Sequence, residues 1–146
     1  MKGIVCTNCG YIALDGITPE ICPACWAKKS FQEKPDAIVE PSTATDKLEA
    51  NKKHIPQINI EKKCGLIPDG CIDVNIKIGA TTHPMLTEHY IMHLDCYLDK
   101  KFIARVVLTS VNLNPAAGFH LKVDKGRFAV IEKCNIHGAW LSEADL

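Results

Sequence analysis

Four histidines and one cysteine, spread over three short stretches, are spaced as metal ligands. His83 and His89 lie six residues apart in His83-Pro84-Met85-Leu86-Thr87-Glu88-His89-Tyr90-Ile91. A helix would point them in different directions, whereas a loop running into a strand can bring both to one ion. Upstream is Lys53-His54-Ile55-Pro56, and downstream Cys134-Asn135-Ile136-His137-Gly138-Ala139-Trp140. Cys134 and His137 form a C-x-x-H pair, able to donate sulfur and nitrogen to one metal from a single turn that Asn135 can help to shape. A histidine taken singly is more often structural than a ligand. Taken together, His54, His83, His89, Cys134 and His137 are a nitrogen-rich donor set with one soft thiolate, which suits iron at least as well as zinc.

A second donor set lies near the N-terminus. Cys6-Thr7-Asn8-Cys9 and Cys22-Pro23-Ala24-Cys25 are separated by twelve residues. Each C-x-x-C can fold as a knuckle whose backbone amides point at the sulfurs, and two knuckles place four thiolates tetrahedrally around one ion. Tetrahedral sulfur accepts zinc or iron. A segment this short buries little core, so the metal is expected to supply much of its folding energy.

The 146 residues suffice for a small domain plus a medium one, and 47% hydrophobic content allows a packed core. Seventeen basic residues balance seventeen acidic ones, so no overall field points to nucleic acid or an acidic membrane surface. No apolar run reaches the ~18 residues of a membrane span, and no signal-like hydrophobic region precedes Cys6, so a cytoplasmic location is expected. In that reducing compartment the paired cysteines read as metal ligands rather than disulfides.

Composition divides the chain into residues 1–36, a four-cysteine metal domain; 37–46, a linker in a proline-bearing stretch poor in large apolar residues; and 47–146, a β domain. In the last, apolar residues recur with period two. Ile72, Val74, Ile76 and Ile78 share one face of a strand. Tyr90, Met92, Leu94, Cys96 and Leu98 share another. Phe102 to Leu108, Phe119 to Val123 and Arg127 to Ile131 complete the set, with turns at Pro68-Asp69-Gly70, Asp99-Lys100, Asn114-Pro115 and Asp124-Lys125-Gly126. Short strands so spaced predict an antiparallel sandwich of about a hundred residues. No long helix and no internal repeat is visible.

His89 and His93 have helical spacing, yet Glu88 precedes the first histidine, so H-E-x-x-H is absent. Strand alternation predicts His93 and His120 as ordinary histidines on polar faces. Cys64, Cys71 and Cys96 are expected as small half-buried or buried thiols, with a Cys64–Cys71 disulfide conceivable only outside the cytoplasm.

Two resemblances bear on function. Cys6-x-x-Cys9-Gly10-Tyr11, Gly16, Pro19-Glu20-Ile21-Cys22-Pro23-Ala24-Cys25 and Phe31 resemble the rubredoxin-like module of rubrerythrins, which implies a one-electron iron site; zinc-ribbon modules share the knuckles. Residues 47–146 resemble superoxide reductases of the desulfoferrodoxin and neelaredoxin type, through Lys53-His54-x-Pro56, His83-Pro84-Met85-x-x-Glu88-His89-Tyr90-Ile91 and Cys134-Asn135-x-His137-Gly138-x-Trp140. That resemblance implies an immunoglobulin-like β-sandwich with ferrous iron held by four histidines in a plane and by axial Cys134. It implies one-electron reduction of superoxide to hydrogen peroxide, with Lys53 drawing in the anion and a rubredoxin-type or other protein donating electrons. A homo-oligomer, dimer or tetramer, is expected. Many relatives place a glutamate immediately before the lysine, where this chain has Lys52; Glu49 is the nearby carboxylate. Desulfoferrodoxin itself has an adjacent cysteine pair in its first domain, unlike the two C-x-x-C pairs here. The competing readings are a non-catalytic two-iron electron carrier and a zinc-ribbon binding module on a β-sandwich.

Overall fold

The first strand, β1 (Gly3–Cys6), runs into the first cysteine knuckle and pairs antiparallel with β2 (Ile12–Ala13) and β3 (Phe31–Lys34). The knuckle closes with the Gly10 amide donating to the Cys6 carbonyl at 2.9 Å, and Gly10 takes the left-handed φ of 77° that this return requires. In the second knuckle the equivalent bond runs from Trp26 to Cys22 at 2.8 Å, and Trp26 adopts a φ of 64° there. The computed structural model describes residues 1–146, apart from the side chain of Asp46.

A 3-10 turn (Thr45–Lys47) leads into α1 (Leu48–His54), and β4 (Pro56–Glu61) follows at once. The remaining strands are β5 (Ile72–Ile78), β6 (Ile91–Leu98), β7 (Lys101–Val107), β8 (Ala116–Leu121), β9 (Arg127–Cys134) and β10 (Gly138–Asp145). They form two antiparallel sheets, in the orders β4-β5-β8 and β10-β9-β6-β7. The expected mainly β, immunoglobulin-like sandwich behind a small metal-knuckle unit is the fold observed. On β5, Ile72, Val74, Ile76 and Ile78 are buried while Asp73, Asn75 and Lys77 are not, as period two predicts. They face Ile91, Leu94, Cys96, Phe128 and Val130 across the sandwich.

The alternation expected for β6 is corrected by the structure. The ladder slips between Ile91 and His93, a bulge that moves the inward positions from Tyr90 and Met92 to Ile91, while Leu94 and Cys96 stay inward. The other face of this sheet is not solvated. Tyr97, Ala129, Ile131 and Ala139 share a core with Val5, Tyr11, Ile12 and Ala13, so the N-terminal unit covers it. His93, predicted on a surface, is therefore only 8% exposed, near Asp95. Tyr11 lies against Tyr97 (ring centroids 6.1 Å apart) and edge-on to Phe102 (5.4 Å), and the Tyr97 hydroxyl donates to the Ile12 carbonyl at 2.8 Å.

The proline-bearing stretch is tied down in its first residues. Ala37 and Ile38 are buried in the shared core, and the Val39 amide donates to the Ala139 carbonyl at 2.8 Å. Period two gave no sign of α1, whose Leu48, Glu49, Ala50 and two lysines are strong helix formers over a run too short to show a helical repeat.

Candidate metal centres

His54 is the last residue of α1, and its Nδ1 lies 2.8 Å from the Ala50 carbonyl one turn back. Its ring stacks on Trp140, centroids 5.0 Å apart, and the Trp140 indole donates to the His137 carbonyl at 3.2 Å. The end of the helix is held by the segment after β5: Gly79 donates to the Ile55 carbonyl (3.3 Å) and Thr81 to the Lys52 carbonyl (3.1 Å). Gly79 has a φ of +83°, and a Cβ there would stand 2.5 Å from the Lys53 carbonyl oxygen.

His83 and His89 come from the loop between β5 and β6. The His83 amide returns to the Ile78 carbonyl at 3.0 Å, and its Nδ1 lies 2.7 Å from the Pro84 carbonyl. Leu86 and His89 exchange backbone hydrogen bonds at 2.9 and 3.2 Å, which makes a tight turn. Asn135 then clamps this loop to the hairpin joining β9 and β10. Its side-chain amide donates to the Glu88 carbonyl (3.0 Å), its side-chain oxygen accepts from the Tyr90 amide (2.9 Å), and its own amide donates to the Tyr90 carbonyl (3.1 Å). Asn135 thus joins the two ligand-bearing segments as well as shaping its turn.

These constraints bring the four imidazoles into a square. Neighbouring rings, taken in the order His54, His83, His89, His137 and back, have centroids 4.7, 4.6, 4.8 and 4.8 Å apart and stand at 72–77° to one another; the His54–His89 diagonal is longer, at 6.3 Å. His137 Nδ1 is 3.1 Å from both His54 Nε2 and His89 Nε2, and 3.6 Å from Cys134 Sγ. Two nitrogens bonded at ~2.1 Å and at right angles around one ion are separated by about 3.0 Å. The nitrogens therefore fit a planar array better than a tetrahedron.

A metal fits this set on a further count. His83 Nε2 is buried with no hydrogen-bond partner, which is costly unless a ligand meets it. With Nδ1–H donating to the Ala50 and Pro84 carbonyls, the Nε2 lone pairs of His54 and His83 are left to bind. Burial lowers His83 to about 4 and holds His54 and His89 below the ordinary imidazole range, so all three are neutral near pH 7. Cys134 is 1% exposed, and burial raises its thiol; a cation alongside is what would favour the thiolate.

Sequence reasoning missed Glu132. It is fully buried, neither carboxylate oxygen has a partner, and burial raises it to about 9. It is two residues before Cys134 on β9, so strand alternation sets both on the sandwich side. The legible signal was an acid in the otherwise apolar run Phe128-Ala129-Val130-Ile131-Glu132.

Lys53 is exposed beside His54, and after burial its charge is among the influences holding His54 and His89 down. Lys52 pairs instead with Glu49 at 2.9 Å. In the N-terminal unit Cys6 and Cys25 sulfurs are 3.8 Å apart and those of Cys9 and Cys22 3.7 Å, close to the ~3.8 Å edge of a tetrahedron with ~2.3 Å metal–sulfur bonds. The Asn8 side-chain amide donates to Cys25 Sγ at 3.3 Å. Cys96 is buried in the sandwich core, as expected. His120 is partly exposed, but it is no isolated surface histidine: it meets Cys64, Cys71 and Asp73. No helix among the described residues is long and apolar enough to cross a membrane.

Comparison with known proteins agrees with both sites. Residues 46–143 match the desulfoferrodoxin family, and residues 5–32 match the rubredoxin-like domain of rubrerythrin. A superoxide reductase of Pyrococcus abyssi is 33% identical over 106 residues, covering 65% of this chain and 88% of that relative. The solved superoxide reductase of Nanoarchaeum equitans shares 28% identity at a TM-score of 0.56, over 66% of this chain and 94% of its own. A point variant of the superoxide reductase (neelaredoxin) of Ignicoccus hospitalis superposes with a TM-score of 0.62 at 23% identity, over 75% of this chain and 92% of its own, a likeness of fold. With the family match covering two thirds of the chain and every residue of the histidine square, the chain belongs to the desulfoferrodoxin family and carries a rubredoxin-like module at its N-terminal end.

Proposed function

We propose that the protein is a superoxide reductase, carrying out one-electron reduction of superoxide to hydrogen peroxide at a centre formed by His54, His83, His89, His137 and Cys134. The square of imidazoles beside a buried cysteine carries this reading. Iron held by these five residues would supply the one-electron reducing power, an external donor would restore that electron, and two protons from water would complete the peroxide. The protein's own part is to hold His54, His83 and His89 neutral by burial, to aim His54 and His83 through their second nitrogens, and to enclose His54, His83 and Cys134 while His89 and His137 reach solvent. A small anion approaches from that open side, where Lys53 offers the positive charge that raises its local concentration. Lys53 makes no ion pair among the described residues.

Residues 1–36, with iron at Cys6, Cys9, Cys22 and Cys25, would pass or store electrons from a rubredoxin-type or other donor protein, and zinc there would make the unit structural. Residues 37–46 connect it to the catalytic domain, residues 47–146. A cytoplasmic homo-oligomer is the form in which we expect it.

The test is stoichiometry. Iron-loaded protein with an excess of reductant should yield one peroxide for each superoxide consumed, with one donor electron used; half a peroxide with oxygen evolved would make it a dismutase instead. His89→Ala should lose iron from the histidine site and the fast reaction, while Cys9→Ser should lose the first metal and keep fast superoxide consumption. An intact histidine-site spectrum in His89→Ala would remove that residue from the ligand set.

A further inference from the structure

A third cluster of metal-binding side chains lies on elements that neither centre uses. Cys64 and Cys71 bracket the loop between β4 and β5, Asp73 is on β5, and His120 is its direct partner in register on β8. His54 precedes β4 and His83 follows β5, so the cluster sits at the opposite end of these strands. The separation is about 20 Å for six residues at ~3.3 Å each.

The donors converge on one point. His120 Nδ1 is 3.3 Å from Cys64 Sγ, 3.8 Å from Cys71 Sγ and 2.7 Å from Asp73 Oδ1, and Cys71 Sγ is 3.6 Å from Asp73 Oδ1. A tetrahedron with ~2.3 Å zinc–sulfur and ~2.0–2.1 Å zinc–nitrogen or zinc–oxygen bonds has edges of about 3.3–3.8 Å. Three of these four separations meet that requirement. The fourth, between His120 Nδ1 and Asp73 Oδ1, is closed to hydrogen-bond length and needs to open by about 0.6 Å, which these partly exposed side chains allow by small rotations.

The loop is also shaped as a ligand loop. The Ile67 amide donates to Cys64 Sγ at 3.1 Å, an N–H···S bond three residues on of the kind that steadies a thiolate in a metal knuckle. Gly70, at a φ of 65°, turns the chain so that Cys71 comes back beside Cys64. Both thiols are free. A dication with two thiolates and a carboxylate leaves one negative charge, and Lys62 and Lys63 line the same groove as Cys64 and Cys71.

We propose that Cys64, Cys71, Asp73 and His120 form a third metal site, binding one divalent borderline-soft ion, zinc above all, in tetrahedral coordination. Binding releases the two thiol protons to solvent and involves no electron transfer. Two thiolates with one nitrogen and one oxygen select such an ion over magnesium or calcium. Four protein donors close the shell, which makes the site structural: it pins the ten-residue loop 62–71 to β5 and β8.

The experiment uses the full chain with its other centres loaded with iron, purified without air and titrated with zinc and separately with cobalt. One further equivalent should bind, and cobalt should give the thiolate charge-transfer and intense visible bands of a tetrahedral site. A Cys64→Ser/Cys71→Ser double variant and His120→Ala should lose that equivalent, with the visible spectra of both iron centres unchanged. No further equivalent in the wild type, an equivalent that survives in the double variant, or a Cys64–Cys71 disulfide in the air-free protein would each overturn the proposal.

Discussion

Arg105 of β7 donates to the main-chain carbonyl of Cys9 at 3.1 Å, so the sandwich grips the first cysteine knuckle directly. The same guanidinium makes a two-pronged pair with Asp95, its partner in register on β6, at 2.5 and 2.6 Å. The Asp95 side chain is 2% exposed. Breaking a buried pair by removing one member leaves an uncompensated charge. Arg105→Met should destabilise the protein by about 3–5 kcal/mol, whereas Asp95→Leu/Arg105→Met should recover most of that loss. Denaturant unfolding of the two variants makes the comparison.

Gly79 should be intolerant of a side chain. Its φ is +83°, and a Cβ would stand 2.3 Å from the Thr81 carbonyl and 2.5 Å from that of Lys53, the residue next to His54. Gly79→Ala should cost more than about 1 kcal/mol and displace the end of α1. Iron at the histidine site should fall while the four-cysteine site keeps its metal, as metal analysis and visible spectra of the variant can check.

His93 should make stability fall in mild acid. Burial lowers it to about 4, although Asp95 favours its charged form; Arg105 and Lys133 oppose it. An exposed imidazole titrates near ~6.5. Between those values the unfolded chain takes up a proton that the folded chain refuses, so this contribution is complete above about pH 6.5 and is lost as pH falls through about 4. The loss should approach about 3 kcal/mol. His93→Gln should unfold with a shallower pH dependence across that window, an effect seen in the difference between the two proteins.

Lys53→Ala should slow superoxide consumption at low salt and leave the iron content unchanged. The attraction of an exposed charge for an anion is screened by ions. The wild-type rate should therefore decline with ionic strength more steeply than that of the variant. Parallel salt dependences would remove Lys53 from the approach path.

Much of the fold could be read from residue pattern. Period two located β5 and the turn that separates β6 from β7, because a half-buried strand must alternate. The pattern marks Phe119 to Val123 and Arg127 to Ile131, whereas β8 begins at Ala116 and β9 runs on to Cys134, and it carries no sign of β4, β10 or α1. Gly138-Ala139-Trp140 reads as part of a ligand motif rather than a strand, and β10 forms because it pairs along β9 from Gly138↔Cys134 to Asp145↔Arg127.

The donors are legible in residue order alone. Cysteines in C-x-x-C and C-x-x-H pairs, and histidines flanked by proline or lysine, carry their chemistry in residue type and local spacing. How those donors meet is set by long-range packing. The square of imidazoles depends on one hairpin, one loop and one helix end being locked together by Asn135, Gly79 and Trp140. His93 reads as a polar-face residue until the N-terminal unit is packed over β6, because alternation along a strand says nothing of what covers its outer face. His120 likewise reads as isolated until the register of β8 on β5 sets it opposite Asp73, since pairing between strands forty-seven residues apart is a long-range choice made by the whole sandwich.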